Sequence, residues 1–318
     1  MIDRHQIEQA AALVHSVMAP TPHLCWPLLA ERAGCELWVK HENHTPIGAF
    51  KVRGGLTYMD DLKRRAPETP GVIAATRGNH GQSVGFAAKR TGIPAVIVVP
   101  VGNSREKNAA MRALGVELVE HGDDFQEAYE FSQRLAADRG LHMLRSFHPM
   151  LVAGVATYGY EFLSARPDLE VVYVPIGLGS GICGMIAARD ALGLKTEIVG
   201  VVTEGAAAYK LSFEQGKPVS TNSADTMADG LACRVPDPGA LEMILKGAAR
   251  IVAVSDAEIK AAMRHYYTDT HNLAEGSGAA GLAAILKERE SLRGRRIGTV
   301  LSGGNIDLDL YRSVLNEA

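Results

Sequence analysis

Apolar positions along the chain fall into two alternating rhythms. Ile7, Ala11, Val14 and Val17 recur near helical spacing and predict an amphipathic helix that ends before Pro20 and Pro22. A second short helix over 28–33 stops at Gly34, and Leu37 and Val39 then mark a strand over 36–40. Beyond residue 50, apolar runs of strand length at 72–75, 95–99 and 116–119 alternate with helical patterns beginning near His80, Ser104 and Asp124. A short strand at 142–144 and a helical stretch at 158–163 precede the most apolar run, Val171-Val172-Tyr173-Val174-Pro175-Ile176, whose unbroken character predicts burial on both faces. Further strands are predicted at 197–202, 251–254 and 297–301, with helices starting near Ser180, Asp256, Gly278 and Ile306. Such alternation builds parallel sheets covered by helices, so the fold class is α/β. No linker rich in Pro, Gly or Ser, no repeat and no low-complexity tract divides the chain, so two domains would have to interlock.

Composition narrows the partners. The 318 residues, 47% of them hydrophobic, suffice for two domains of ordinary size with substantial cores. A net charge of -3, with acids and bases interspersed and no basic block, excludes nucleic acid and points to a small molecule. The N-terminus lacks the basic-then-apolar pattern of a signal peptide and no apolar run reaches membrane-spanning length, so no membrane association is expected. Cys25, Cys35, Cys183 and Cys233 form no CxxC pair, which fits a reducing cytoplasm and gives none of them a catalytic setting.

Four turns carry chemistry. Thr45-Pro46-Ile47-Gly48-Ala49-Phe50-Lys51 follows a strand and enters a helical pattern, which puts Lys51 in a helix's first turn. There the helix dipole and burial both favour the neutral amine, a nucleophile able to form a Schiff base; a solvated surface lysine is the plainer alternative. Thr76-Arg77-Gly78-Asn79-His80-Gly81-Gln82 can converge backbone N–H groups on a carboxylate, or can be an ordinary turn capped by Asn79. Gly177-Leu178-Gly179-Ser180-Gly181-Ile182-Cys183-Gly184 lets the backbone approach a phosphate. The same loop satisfies GxGxxG through Gly179, Gly181 and Gly184, with Glu204 at the dinucleotide offset, so a nicotinamide oxidoreductase fits this stretch too. Ser302-Gly303-Gly304-Asn305 follows the last strand, where a serine hydroxyl can meet a heterocyclic nitrogen, and Glu275-Gly276-Ser277-Gly278 sets a carboxylate at a helix start. His41-Glu42-Asn43-His44 has histidines three apart beside a strand, which is not the zincin spacing, and no metal is assigned.

Taken together and in this order, the Ala49-Phe50-Lys51 turn, the 76–82 turn, the 177–184 loop and Ser302-Gly303-Gly304-Asn305 resemble the threonine/serine dehydratase and serine racemase family of fold-type II pyridoxal 5'-phosphate enzymes. Ala228-Asp229-Gly230 and 275–281 match as well, so the resemblance runs from about Thr21 to Asn305. It implies a tryptophan synthase beta-like fold: two interlocked parallel-sheet α/β domains, a large one of 1–47 plus 142–318 and a small one of 48–141, with the cofactor between them. It implies that Lys51 holds the cofactor covalently, that Phe50 packs on the pyridine ring and that Asn79 bonds the ring's 3-oxygen. The phosphate would lie on Gly177, Leu178, Gly179, Ser180 and Gly181, the pyridine nitrogen on Ser302, and the substrate carboxylate on Thr76, Arg77, Gly78, Asn79 and His80.

The implied reaction is dehydration and deamination of a β-hydroxy amino acid such as threonine, serine, 3-hydroxyaspartate, phenylserine or a hydroxyectoine-derived amino acid, by a homodimer. Three departures bear on it. Arg77 stands where serine racemase has its opposite-face base, which argues against racemisation and suggests either contact with a second anionic group of the substrate or a pair with a protein carboxylate. Val202 and Ala208 replace the carboxylates of the family's divalent-metal site. Leu178 and Ser180 interrupt the usual run of four glycines; Ser180 can add a hydroxyl to the phosphate, and Leu178 must point away. The chain also ends soon after Ser302, which leaves no room for a C-terminal regulatory domain.

Overall fold

The computed structural model describes residues 2–317. The first half runs α1 (Arg4–His15), β1 (His23–Cys25), α2 (Pro27–Ala33), β2 (Glu36–His41), α3 (Lys51–Arg65), β3 (Val72–Ala75), α4 (Asn79–Thr91), β4 (Ala95–Val99), α5 (Arg105–Ala113), β5 (Glu117–Glu120), α6 (Phe125–Arg139) and β6 (His142–Met143). The second half runs α7 (Pro149–Ala165), β7 (Val171–Pro175), α8 (Ser180–Ala191), β8 (Glu197–Thr203), α9 (Ala208–Gln215), α10 (Pro238–Gly247), β9 (Arg250–Val254), α11 (Asp256–Thr270), α12 (Gly276–Lys287), α13 (Arg289–Leu292), β10 (Arg296–Leu301) and α14 (Leu308–Asn316).

Two sheets result, a six-stranded one in the order β1-β2-β10-β7-β8-β9 and a four-stranded one in the order β5-β4-β3-β6. All pairings are parallel except β1 on β2. The fully buried strands β3, β4 and β7 are the unbroken apolar runs of the sequence, because helices cover both faces of their sheets. One core lies under α2, α11 and α12, and a second under α7, α8 and α10, on opposite faces of the larger sheet. Helices α3 and α4 cover one face of the smaller sheet and α6 the other.

The helices start where side chains supply partners for the first N–H groups. Asp3 and Gln6 form a capping box on α1, Ser104 and Asp124 cap α5 and α6, and Ser255 with Glu258 boxes α11. In α1 it is Ala10, not Ala11, that turns into the core with Ile7 and Val14. Helix α7 is far longer than the predicted 158–163, because His148 caps it at Pro149 and the stretch from Leu151 to Gly159 is buried. The short strand β6, placed by the sequence at the start of the large domain, pairs with β3 in the small sheet.

Helix α3 crosses between the two bodies and is anchored by buried charge. Arg53 has no exposed side-chain surface; its guanidinium bonds Glu42 at 2.7 and 3.0 Å, Glu161 at 2.6 and 3.0 Å, and Thr157 Oγ1 at 2.9 Å. Lys40 Nζ reaches the Glu161 carboxylate at 2.5 Å and the Thr21 carbonyl at 2.8 Å, while the Thr21 hydroxyl donates to Glu42 at 2.6 Å. Two cations thus face two carboxylates, with hydrogen bonds to nearly every lone pair. Contact between α3 and α7 is close enough that a Cβ at Gly154 would stand 2.3 Å from the Arg53 carbonyl oxygen.

Removing one partner of such a cluster strands the others in a dry site. Arg53→Met is expected to lower unfolding free energy by about 3–5 kcal/mol in a urea titration. Burial alone would raise the Glu161 carboxyl, but Arg53 and Lys40 overcome this and hold it at about 2, against an ordinary 4.5. Its contribution is therefore present above pH 4.5 and lost as pH falls toward 2, so Glu161→Gln should flatten the acid limb of the stability curve in that window.

Candidate active site

Lys51 is the first residue of α3, and no side chain caps that end. The turn before it is pinned by Thr45, whose hydroxyl donates to the Ala49 carbonyl at 2.8 Å and accepts from the Ala49 N–H at 2.9 Å. The turn is also stitched to the segment after β10: Phe50 N–H donates to the Ser302 carbonyl at 3.0 Å, Gly304 N–H to the Gly48 carbonyl at 2.9 Å, and Ala49 pairs with Gly303 in an antiparallel bridge. Lys51 Nζ ends 3.0 Å from the Ser180 hydroxyl. Burial lowers its pKa from 10.5 to about 8, so loss of solvent rather than a neighbouring charge makes it an available amine. The Phe50 ring meets Tyr158 edge-on at 6.0 Å between centroids, and the Tyr158 hydroxyl donates to the Gly181 carbonyl at 2.6 Å.

The loop from Gly177 to Gly181 leaves β7 and enters α8, whose first turn no side chain caps. Its N–H groups are free for an anion. Gly179 adopts a left-handed φ of 102°, and a Cβ at Gly177 would lie 2.0 Å from the Gly230 carbonyl oxygen. Tyr209 fastens the loop by donating its hydroxyl to the Leu178 carbonyl at 3.0 Å while accepting from Asp237 N–H at 3.0 Å. Leu178 packs on the apolar core beside α8, away from the cradle.

In the 76–80 turn, the Thr76 hydroxyl accepts from Gly78 N–H at 3.0 Å, which fixes the chain's entry into α4. The Lys107 stem lies over Gly78, where a Cβ would approach its Cδ to 2.5 Å. His80 is buried with Nε2 unpartnered; burial first, and the Lys51 charge second, push its pKa down to about 3, so the ring is neutral. Arg77 is exposed and, among the described residues, makes no ion pair. Asn79 donates from Nδ2 to Glu275 Oε1 at 2.6 Å and accepts at Oδ1 from Asn305 Nδ2 at 2.8 Å. Glu275 is buried, which raises its pKa; Lys107 Nζ stands 3.7 Å from it and 3.0 Å from Asp229. Ser302 is buried directly after β10.

The structure thus brings Lys51, Phe50 and the 177–181 loop into one place and joins Asn79 and Ser302 to it through the 302–305 segment. Glu275 and Asn305 lay in motifs visible in the sequence, without a role. Lys107 gave no signal, because a lysine on an amphipathic helix reads as solvated. The 41–44 stretch is structural: His41 accepts from Trp26 Nε1 at 3.0 Å, Glu42 serves Arg53, and Asn43 and His44 meet Asn272 Oδ1 at 3.2 and 2.8 Å. Glu204, required by a dinucleotide fingerprint, is exposed and paired with Lys287 at 3.4 Å. No helix is long and apolar enough to cross a membrane among the described residues.

These features fit pyridoxal phosphate. A glycine loop without room for side chains and an uncapped helix suit its phosphate, a desolvated primary amine suits its aldehyde, and an amide suits its ring oxygen.

Comparison with known proteins agrees. Residues 14–303 match the family model described as pyridoxal-phosphate dependent enzyme. The chain is 33% identical over its whole length to L-threonine ammonia-lyase of Thermotoga maritima, of which it covers 79%. It is 30% identical to L-threo-3-hydroxyaspartate ammonia-lyase of a Pseudomonas species, covering 98% of this chain and 98% of that one. Among solved structures, maize serine racemase superposes with a TM-score of 0.91 at 28% identity, over 99% of this chain and 97% of its own. With its two parallel sheets and the lysine held between them, the chain belongs to the fold-type II pyridoxal-phosphate dependent enzymes, within the threonine/serine dehydratase and serine racemase family.

Proposed function

We propose that this protein eliminates water from a β-hydroxy amino acid to give an enamine, whose imine form a water molecule then hydrolyses to an α-keto acid and ammonia. The observation that carries this is the Lys51 amine, its pKa lowered to about 8 and its Nζ 3.0 Å from Ser180 at the mouth of the glycine loop. Bound there, pyridoxal phosphate supplies an aldehyde that captures the substrate amine and a ring that takes up the electrons left when the α-proton departs. The N–H groups of the 177–181 loop and the start of α8 would hold its phosphate, Phe50 would flank its ring, Asn79 would meet its 3-oxygen and Ser302 its ring nitrogen. The turn of Thr76, Arg77, Gly78, Asn79 and His80 takes the substrate carboxylate, and a neutral His80 can share in that without adding charge. Lys51 Nζ, free while substrate is engaged, takes the α-proton as general base, and the Ser180 hydroxyl keeps it at the phosphate end.

Within this class we assign 3-hydroxyaspartate ahead of threonine and serine. Arg77 is exposed in the carboxylate-binding turn and, among the described residues, has no carboxylate paired to it, so it is available to a substrate's second anion. Relatives named L-threo-3-hydroxyaspartate ammonia-lyase in Pseudomonas and in Saccharomyces cerevisiae, each 30% identical, support the choice. Racemisation is the second reading, favoured by the likeness to maize serine racemase. It needs a base on the opposite face, and a guanidinium at Arg77 stays protonated. The family likeness also supports a cytoplasmic homodimer, which light scattering would test.

Purified protein given pyridoxal phosphate should develop a visible absorption band near ~410–430 nm that Lys51→Ala lacks, together with keto acid and ammonia from β-hydroxy amino acids. A protein that stays colourless and instead binds NAD would refute the assignment. The rate at which apoprotein takes up the cofactor should climb with pH and level off above about 8, where Lys51 is deprotonated. Arg77→Ser should lower kcat/KM for 3-hydroxyaspartate relative to threonine by about 10- to 100-fold, the worth of one charge-assisted contact. Unchanged selectivity would remove Arg77 from the substrate site.

A further inference from the structure

The amide of Asn79 has two ends, one donor and one acceptor, and which end meets the ring decides what that contact can do. The choice is fixed from a distance, starting at a backbone carbonyl. Ile47 C=O can only accept, and the atom of Asn305 that lies 2.8 Å from it must therefore be nitrogen, Nδ2. That same Nδ2 lies 2.8 Å from the Asn79 amide. With one hydrogen given to Ile47 and the other pointing at Asn79, the facing atom of Asn79 must be its oxygen. Asn79 Nδ2 is then the atom 2.6 Å from Glu275 Oε1, an oxygen that accepts in either protonation state of the carboxyl. Reversing Asn79 would set nitrogen against nitrogen and oxygen against oxygen at both contacts. Asn305 cannot turn to follow it, because that would set its own Oδ1 against the Ile47 carbonyl oxygen. One hydrogen of Asn79 Nδ2 remains, and it is the amide's sole free donor.

We propose that Asn305 is a positioning residue which, braced on the Ile47 carbonyl, locks the Asn79 amide so that it offers an N–H to the cofactor's ring oxygen. The inference rests on the reading that Asn79 faces that oxygen. A donor there keeps the oxygen anionic and leaves the shared proton on the nitrogen that links Lys51 to the cofactor, which is the yellow tautomer. An amide turned around would present its carbonyl, and the proton would move to the ring oxygen so that it could donate, giving the colourless tautomer. The brace and Lys51 lie four residues apart in one turn, so the segment that delivers the lysine also sets the ring's proton.

The test is spectroscopic. Parent, Asn305→Asp and Asn305→Ala are each loaded with pyridoxal phosphate, and absorption is recorded from neutral to mildly alkaline pH alongside circular dichroism and a thermal melt. Aspartate can donate to neither Ile47 nor Asn79 and draws the Asn79 N–H toward itself. The ratio of visible to near-ultraviolet absorption should then fall by about tenfold, the worth of one hydrogen bond. Asn305→Ala, which removes the donor without adding an acceptor, should shift the ratio in the same direction by less. Folded variants that melt earlier but keep the parental ratio at every pH would overturn the proposal. If Asn305→Asp does not fold, the ratio in Asn305→Ala decides alone. A parent that forms no visible band would instead sink the cofactor reading on which the proposal stands.

Discussion

The buried charge cluster around Arg53 is the constraint on which the site depends. Taking a guanidinium and a carboxylate out of water is costly, and only dense mutual hydrogen bonding offsets it. Here that bonding ties together five parts of the chain: Thr21 before β1, Lys40 in β2, Glu42 in the following turn, Arg53 in α3, and Glu161 with Thr157 in α7. Arg53 lies two residues past Lys51, so the end of α3 that carries the amine cannot shift without breaking the cluster. His15 extends it to α1, at 2.8 Å from Glu161. A hydrophobic plug of the same volume could hold the helix as strongly, but with less control of its rotation, since fork-shaped Arg–carboxylate pairs are directional.

Charge is also divided across the site itself. Around the Lys51 amine the partners are a hydroxyl and an aromatic ring, with no carboxylate among the described residues, and desolvation is the cause of its lowered pKa. Carboxylates gather on the Asn79 side, where Glu275 and Asp229 share Lys107. Had Glu275 stood beside Lys51, it would have held the amine protonated and ended its use as a base. The separation lets one site contain both an amine that gives up its proton near pH 8 and a buried acid.

Much of this was legible in the sequence, and the unread remainder has a common cause. Unbroken apolar runs such as 95–99 and 171–176 located the parallel strands, because burial on both faces leaves no polar position to break the run. The glycine loop and the Lys51 turn were legible because a close backbone approach and a fixed turn demand particular residue types. What the sequence concealed was long-range pairing. Lys40, Glu42 and Arg53 look like surface charges until Glu161, more than a hundred residues away, is brought among them. Lys107 likewise resembles a solvated helix residue until Gly78 opens space for its stem. Helix α10 and strand β1 went unread for a different reason: α10 starts at a proline after a run rich in turn residues, and β1 is only three residues long.

Under the proposed reaction, the departure from the family pattern at Arg77 bears on both the reaction and the substrate. Inverting the α-carbon requires a proton to leave from one face and return on the other, whereas elimination needs a base on one face and an exit for the β-hydroxyl. Lys51 supplies the first base. At the position that the family resemblance gives to the second, this chain has Arg77, whose guanidinium carries donors and no acceptor. In the proposed function such a residue withdraws one reaction and, by attracting a second carboxylate, favours a dicarboxylic substrate for the other. The substitution therefore acts on reaction type and substrate choice together, which is why selectivity and racemisation should change as a pair when Arg77 is replaced by a serine.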